Sequence, residues 1–478
     1  MLDIDPTAKN PLYAEYLAEW QANLDFAEMR QSVLRAGTYL DRWGGEQREA
    51  LTQYNLRKNW AAQFDHAPEL IDIRMTELWR EAPVRNYEDS PFESQIEAFL
   101  ANVDGGGTDI NSFMRRVTEG ALVNGVDVLV DKDATLVEPV SAADENAQPF
   151  VSDFGPLQRY DWCTDHANKY LYVLYYLGAD PCIDERTAAG EVERYVVYDR
   201  EGWRVYTENF DTGETTMAEG THQMGIVPVV QVYQGFSIHD DNDAIATSIM
   251  SKLSPLSQYM LDLSSQSQLD LFMTVAFYVA TGIQADEMPK ELGASYMVAF
   301  GDPQADFKPV NANVSHITEK RNWLSAMSLL MLRKGKVMGL NASETGNAQS
   351  GIQVALESSP LHSELAATAG MLERSEREIV RLAVSREQGR LIPFEELGYD
   401  VKYTKTFTLQ SLQQLAEEGQ KLSEIEGISQ VPELMRAHLM KIASHLVTPG
   451  SDRHKEIVKQ IEAFTGDMGG ITEPLEDE

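Results

Sequence analysis

One long helical segment near the carboxyl end of the chain constrains the fold more than any other feature. Apolar side chains recur along residues 352–387 at the spacing of one helix face, namely Leu361, Leu365, Leu372, Ile379 and Leu382. Ser350 and Gln353 match the S-x-x-Q capping box, which predicts the first turn of this helix. The helix would be about 50 Å long, with a kink predicted at Pro360. Such a rod is longer than a compact domain needs.

The exposed side of this helix carries opposite charges at i, i+4 spacing. We expect Glu373 to pair with Arg377, and Arg374 to pair with Glu378. Pairs of this kind are typical of a helix that meets solvent on one side.

A polar, turn-prone stretch, GLNASETGNAQSG at residues 339–351, precedes the long helix. A glycine-rich loop that opens a helix often holds a phosphate group, but the phosphate loop needs a Gly-Lys-Ser/Thr sequence that this stretch lacks. Connections between antiparallel helices usually have about two to eight residues, and this one is longer. We therefore predict a flexible connection that binds no nucleotide.

Two further helical segments enclose a β-rich region at residues 274–313. The first is predicted to begin at HDDNDA, residues 239–244, because acidic side chains there suit a helix amino terminus better than a metal site. Its apolar stripe comprises Ile245, Ile249, Leu253, Leu256, Met260 and Leu263, with a kink predicted at Pro255. The second covers about residues 315–338, with an apolar side made of Trp323, Leu324, Met327, Leu330 and Met331.

The first half of the chain is predicted to contain helices followed by strands. Helices are expected over residues 54–80 and 91–103, and from a cap at Thr108 or Asp109, with a flexible joint at residues 105–107. A strand is expected within residues 121–133, after a turn at Asn124 and Gly125. Residues 160–234 are predicted to form an antiparallel meander with hairpin turns near 199–202 and 211–213.

Composition sets the class of the protein. The chain has 478 residues, of which 43% are hydrophobic, so it can bury a core. We predict a predominantly helical α+β fold. Its two cysteines, Cys163 and Cys182, form no C-x-x-C pair, which argues against a disulfide scaffold or a cysteine zinc site. The amino terminus lacks a signal-peptide pattern, and the most apolar stretch, residues 271–283, is too short to span a bilayer as a helix, so a soluble protein is expected.

Charge and motifs exclude several functions. The net charge of −35, from 75 acidic and 40 basic residues, argues against a module that holds DNA tightly, since such binding needs cations opposite the phosphates. The sequence contains no H-E-x-x-H zinc motif, no G-x-G-x-x-G after a strand and no G-x-S-x-G context for a nucleophilic serine. We therefore expect no enzyme activity, no cofactor and no metal site.

The order of these elements resembles that of the portal proteins of tailed bacteriophages. The most similar part is GNAQSGIQVAL, a stretch that runs into the long helix and includes Gly346, Asn347, Ser350, Gly351, Ala355 and Leu356. GALVNGVDVLVD and GIVPVVQVYQG also look like segments of that family. The resemblance covers about residues 54–385, in element order more than in residue identity.

The resemblance implies a portal-like fold with wing, stem, clip and crown regions. Residues 1–240 would be the wing, with its β meander at about 160–234. Residues 241–273 and 314–338 would be stem helices on either side of a clip at 274–313. The remaining regions would be a tunnel loop at 339–351, the long helix and return to the wing at 352–407, and a helical crown with an acidic tail at 408–478.

A function follows from the same resemblance. The chain would form a ring, expected to have twelve subunits, through which double-stranded DNA passes non-specifically at a unique capsid vertex during packaging, retention and ejection. Its partners would be the terminase large subunit, neck or adaptor proteins, and the major capsid and scaffolding proteins, with no membrane. It would belong to the virion, and to the host cytoplasm during assembly. The acidic charge suits a channel that must pass DNA without holding it.

Candidate site residues fall in three groups. The tunnel loop would present Asn341, Ser343, Glu344, Thr345, Asn347, Gln349 and Ser350 to DNA. The basic cluster Arg333, Lys334 and Lys336 would either contact phosphates weakly or pair with acidic groups across a subunit interface. The clip would bind partners through Glu287, Lys290, Glu291, Asp302, Asp306 and Lys308.

Two other classes of protein remain open at this stage. One is another scaffold or adaptor protein of a virion. The other is an acidic multidomain hydrolase that uses carboxylates in its β-rich half. Paired carboxylates are frequent in so acidic a chain, so their presence does not favour the hydrolase.

Overall fold

Helices and antiparallel strands occupy largely separate stretches of the chain, which makes this an α+β fold. The computed structural model describes residues 4–42, 49–61, 66–132, 148–180, 192–209, 215–222, 224–237, 244–273, 277–281, 306–310, 315–337, 351–405, 407, 436, 439–440, 442–443 and 452–462. Its helices are α1 (Pro11–Ala27), α2 (Gln31–Ala36), α3 (Leu51–Trp60), α4 (Ala67–Leu78), α5 (Glu93–Ala101), α6 (Ile110–Val123), α7 (Met250–Met273), α8 (Ser315–Lys334), α9 (Gly351–Gln388), α10 (Phe394–Leu397) and α11 (Asp452–Glu462).

The strands within the described residues form five antiparallel sheets. They are β1 (Val84–Asn86), β2 (Val126–Asp131), β3 (Phe150–Phe154), β4 (Arg159–Thr164), β5 (Tyr170–Asp180), β6 (Val192–Asp199), β7 (Gly202–Asn209), β8 (Thr215–Thr221), β9 (Val229–Val232), β10 (Gly235–Phe236), β11 (Ala246–Thr247), β12 (Phe277–Thr281), β13 (Asp306–Val310) and β14 (Asp400–Lys402). The largest sheet has the order β4-β5-β6-β7-β8, and a smaller one has the order β3-β2-β9.

The amino-terminal helices differ from their prediction at one point. The single helix expected over residues 54–80 is two helices, because α3 ends at Trp60 and Ala61 has extended backbone angles. Pro68 lies in the first turn of α4, where a missing backbone N–H costs nothing. By contrast, α6 begins as predicted, with the Asp109 carboxylate accepting a hydrogen bond from the backbone N–H of Ser112.

The glycine stretch at residues 105–107, where a flexible joint is predicted, forms a hydrogen-bonded turn. Asp104 Oδ1 accepts hydrogen bonds from the backbone N–H groups of Gly106 and Thr108, at 2.8 and 3.1 Å. The Thr108 hydroxyl donates to the other oxygen of the same carboxylate, at 2.5 Å. A side chain that the pattern of glycines does not reveal therefore closes this turn.

The predicted meander is correct for β4 to β8 but not for β9. At its β6–β7 turn, the Asp199 carboxylate accepts from the backbone N–H groups of Glu201 and Gly202, each at 2.8 Å. The turn expected at 211–213 lies outside the described residues. β9 pairs instead with β2, whose residues are all buried. β2 pairs with β9 along one edge and with β3 along the other. A strand buried in this way needs a partner on each side to satisfy its backbone.

A buried polar cluster joins the two larger sheets. Asp127 of β2 accepts hydrogen bonds from the hydroxyls of Tyr175, at 2.9 Å, and Tyr233, at 2.7 Å. The guanidinium of Arg159 donates to Tyr233 at 2.6 Å and lies 3.7 Å from the Asp127 carboxylate. Burial raises the pKa of both tyrosines well above the ordinary value, so they remain hydroxyl donors.

α7 begins later than predicted. Ala246 and Thr247 form strand β11, which pairs with β10, so the helix starts at Met250 and not near residue 243. The Ser248 hydroxyl accepts from the backbone N–H of Ser251 at 3.1 Å and so caps the first turn. The acidic run at 239–243 lies outside the described residues.

The long helix α9 is present with close to its predicted bounds. It has 38 residues, or about 57 Å, and continues through Pro360. The five predicted core side chains, Leu361, Leu365, Leu372, Ile379 and Leu382, are all buried. The predicted i, i+4 ion pairs are replaced: Glu373 pairs with Lys405, Glu378 with Arg381, and Arg377 lies 3.8 Å from Asp400.

Three buried ion pairs fix α9 along its length. Arg74 of α4 meets Glu364, Arg85 of β1 meets Glu376 at 2.6 Å, and Arg386 meets Asp131 of β2. Glu376 also accepts from the hydroxyls of Tyr399 and Tyr403, at 2.6 and 2.5 Å. Removing one member of such a pair would leave an uncompensated buried charge, at a cost of about 3–5 kcal/mol. The rod is therefore fixed to the amino-terminal helices, to β1 and to the sheet with β2.

Candidate functional site

α7 and α8 form an antiparallel pair that β12 and β13 connect. We call α7, β12, β13 and α8 together the stem hairpin. Lys320 near the start of α8 lies 2.5 Å from Asp270 near the end of α7, which fixes the antiparallel direction of the helices. The two strands pair from Phe277 opposite Val310 to Thr281 opposite Asp306.

The base of the stem hairpin is held by the amino-terminal helices. The guanidinium of Arg57 in α3 is buried and lies 2.5 Å from the carboxylate of Asp262 in α7 and 2.9 Å from that of Glu49. The same group donates to the Ser265 hydroxyl at 3.3 Å. An additional contact is made in the first half of α7, where Ser254 donates to Asn23 of α1 at 2.6 Å.

Both helices of the stem hairpin carry large apolar side chains that are at least half exposed. On α7, Tyr259 is 50% exposed and Leu271 is 55% exposed; on α8, Trp323 is 56% exposed and Leu329 is 50% exposed. Single exposed apolar residues are ordinary, whereas these four lie on two paired helices and give the hairpin apolar side chains that a neighbouring molecule can cover. These four residues are the exposed stem surface.

This surface corrects the predicted apolar side of the second helix. Of Trp323, Leu324, Met327, Leu330 and Met331, the structure buries Met331 and leaves Trp323 more than half exposed. α7 alone cannot cover a helix that carries apolar side chains around most of its circumference. A signal was present in the sequence, because Leu329 adds an apolar side chain outside the predicted stripe.

α8 ends at a junction that also holds α9. The guanidinium of Arg74 donates to the backbone oxygen of Gly335 at 2.8 Å and lies 3.4 Å from the Glu364 carboxylate of α9. Lys336 reaches the same carboxylate, at 2.9 Å. Burial lowers the pKa of Arg74. Burial alone would raise the pKa of Glu364, but Arg74 and Lys336 outweigh burial and lower the pKa of this carboxylate. The junction therefore holds an ionised carboxylate between two cations.

Close backbone packing fixes the same junction. A side chain at Gly335 would collide with Leu70 of α4, since an added Cβ would lie 2.7 Å from its methyl carbons. Lys336 adopts a left-handed conformation with φ of 58°, and the backbone N–H of Val337 donates to Leu332 O at 3.0 Å. These features end the helix and bury Val337.

The predicted site residues are distributed as follows. Arg333 and Lys334 are exposed in the last turn of α8, whereas Lys336 pairs with Glu364 of its own chain. Asp306 and Lys308 lie on β13, opposite Thr281 and Val279. The following predicted residues lie outside the described part of the chain: Asn341, Ser343, Glu344, Thr345, Asn347, Gln349 and Ser350 of the tunnel loop, and Glu287, Lys290, Glu291 and Asp302 of the clip.

A serine, a histidine and a glutamate meet where α8 passes α4. His66 Nε2 lies 2.7 Å from the Ser328 hydroxyl, and His66 Nδ1 lies 2.7 Å from the Glu69 carboxylate. The arrangement is like that of a hydrolase triad, and sequence motifs did not indicate it. However, Ser328 lies inside α8, where backbone N–H groups bond to preceding carbonyls and offer no oxyanion hole. The contact therefore acts as a link between two helices.

The described residues contain neither a cluster of metal ligands nor a membrane-spanning helix. No group of three His, Cys, Asp or Glu side chains there is placed to hold a metal ion. Within the same residues, no helix is long and apolar enough to cross a membrane.

The chain was compared with protein families, curated proteins and solved structures. No protein-family model matches the chain, and no curated protein matches it. The chain is similar to one in the neck of an empty GTA particle computed with C6 symmetry, with a TM-score of 0.39 and 11% sequence identity. The similarity covers 85% of this chain and 93% of the other. A TM-score below 0.5 does not establish a common fold, so this likeness assigns neither fold nor function.

Proposed function

We propose that this chain is a portal-type subunit, which forms a ring-shaped DNA channel at a capsid vertex. The observation that carries the proposal is the exposed stem surface on a hairpin that is fixed at its base. The resemblance of the sequence to portal proteins supports the same function. The ring would be used to package the genome, retain it and release it.

Ring closure accounts for the exposure of the stem hairpin. In a ring with head-to-tail contacts, each subunit presents two different faces to its two neighbours. The stem hairpin of one subunit can therefore contact α7 of the neighbour on one side and α8 of the neighbour on the other side. The side chains Tyr259, Leu271, Trp323 and Leu329 would then be buried between neighbouring hairpins. Lys320 and Asp270 already neutralise each other within one subunit, so they can be brought into such an interface at a lower cost.

The charge of the chain suits a channel and not a DNA-holding site. Twelve copies of a net charge of −35 would carry roughly −420, which repels a polyanion. Arg333 and Lys334, exposed at the end of α8, would then be local points of weak phosphate contact. Lys336 would contribute less to such contacts, since Glu364 neutralises it.

The remaining parts of the proposal concern partners and chemistry. Strands β12 and β13, with residues 274–313, would meet the terminase large subunit during packaging and neck or adaptor proteins later. The major capsid and scaffolding proteins would surround the wing, and the protein would be part of the virion. We attribute no catalysis to the chain, because the motor supplies the energy for DNA movement.

Sedimentation equilibrium of the purified chain tests the proposal. A ring of twelve copies of 53.5 kDa has a mass of about 640 kDa, and rings of neighbouring subunit number differ from it by one chain mass each. A species with the mass of many subunits is expected at micromolar concentration. A monomer or dimer over the whole concentration range, in low and in high salt, would contradict the proposal.

A further inference from the structure

A cleft of about 720 Å³ lies between α9 and the strands, away from the stem hairpin. Its walls come from α9, β9, the turn before β5 and the start of α10. The lining includes Lys169, Tyr233, Phe236, Met371, Arg374, Ser375, Arg377, Glu378, Arg381 and Phe394. Neither the channel function nor any sequence motif uses this cleft.

The cleft is cationic in a strongly acidic protein. Four of its lining residues, Lys169, Arg374, Arg377 and Arg381, carry positive charge, and Glu378 is the one carboxylate among the residues that line it. Glu378 is already bound to Arg381 at 2.5 Å. Arg374 is exposed on the same helix, one turn from Arg377. The excess of positive charge therefore lies on groups that can receive an anion from outside.

Phe394 holds two of the guanidinium groups in place. The guanidinium carbons of Arg377 and Arg381 lie 5.5 and 4.7 Å from the centre of its ring. Stacking of this kind limits the motion of a long side chain and presents its N–H groups as a planar fork. A guanidinium fixed in this way is suited to bind a carboxylate through two hydrogen bonds.

The shape and the charge together favour one kind of ligand. Arg374 and Arg377 are separated by about 5 Å along the helix axis, and side chains on one face of an extended peptide recur about every 7 Å. Two carboxylates at alternate positions of such a peptide can therefore reach the two arginines. The side chains between them would point away from the arginines, toward the strand wall that carries Tyr233 and Phe236.

Carboxylates at the cleft disfavour a nucleic acid. Glu378 lines the cleft, and Asp400 lies 3.8 Å from Arg377. A phosphate chain places a charge at every nucleotide, so some of its phosphates would approach these carboxylates. A peptide can leave those positions neutral. We propose that the cleft binds an acidic peptide segment of a partner protein in extended conformation, with alternating carboxylate and apolar side chains.

Fluorescence anisotropy with the labelled peptide GEFELEG and full-length protein tests the proposal. Micromolar binding is expected, and replacement of the glutamates in GQFQLQG should weaken it at least tenfold. Arg374→Gln and Arg377→Gln should each weaken binding of GEFELEG about tenfold, because each removes a charge-assisted contact. Arg115→Gln, which removes an equally exposed arginine outside the cleft, should leave it unchanged.

Several results would overturn the assignment. Equal binding of the two peptides, or equal affinity of the two cleft variants and the wild type, would show that the arginines do not recognise carboxylates. Tighter binding of labelled oligothymidylate than of GEFELEG, with the same dependence on Arg374, would assign the cleft to nucleic acid. Circular dichroism of each variant separates loss of binding from loss of fold. None of these outcomes depends on ring formation.

Discussion

Replacement of Trp323 tests whether the exposed stem surface holds subunits together. Its side chain is 56% exposed, so of about 250 Å² of tryptophan surface roughly 140 Å² is available to a neighbour. At about 25 cal/mol per Å², complete burial of that area contributes about 3.5 kcal/mol. Alanine retains part of this area, so Trp323→Ala should weaken each subunit contact by about 2–3 kcal/mol. That is about 30- to 150-fold in the association constant of one contact.

Sedimentation velocity over a range of protein concentrations measures this effect. Because a ring contains one such contact per subunit, Trp323→Ala should shift the concentration at which rings dissociate well above that of the wild type. Leu51→Ala is the matched control, since Leu51 of α3 is 59% exposed but lies outside the stem hairpin. If Trp323→Ala assembles as the wild type does, the surface is not an interface and the argument from its exposure is wrong.

The remaining predictions concern pH and the loop. Burial lowers the pKa of His222, whose Nε2–H donates to Asp199 O at 2.8 Å. As the pH falls, this histidine therefore takes up a proton in the unfolded chain before it does so in the folded protein. Stability should fall below about pH 6.5, by up to about 1.4 kcal/mol per pH unit. Urea unfolding should show this slope reduced in His222→Asn, and a slope equal to that of the wild type would contradict the prediction. Deletion of residues 341–349 should leave thermal unfolding unchanged, because contacts such as the Lys336–Glu364 ion pair hold the junction in place. The same deletion should reduce DNA packaging. Full packaging by the deletion variant would refute a tunnel role for these residues.

Local signals predicted the elements that local chemistry determines. Asp109 caps α6, and the apolar stripe from Leu361 to Leu382 predicts the helix α9, because capping and helical spacing act over a few residues. The same reasoning failed at residues 54–80, where a break follows Trp60, and near residue 246, where a two-residue strand forms before α7. The second difference arises because β11 pairs with β10, a contact that the helical apolar spacing does not reveal.

The candidate site was less predictable than the fold. Lys336 was expected at a DNA contact or a subunit interface, and the structure adds an ion pair with Glu364 of α9 in the same chain, which the sequence did not indicate. Glu373 bonds to Lys405 and not to the arginine one turn away. Ion pairs of this kind are set by tertiary packing, which spacing in the sequence does not encode. The basic cleft was missed for the same reason, since Lys169 and Arg374 meet only after folding.

Negative-stain electron microscopy of the purified chain tests the central claim most directly. The proposal predicts closed rings with a central channel, formed by many copies packed through their stem hairpins. Class averages of the Trp323→Ala variant at the same concentration should contain fewer rings. Single small particles or open filaments in the wild type, with no closed ring under any salt condition, would contradict the account.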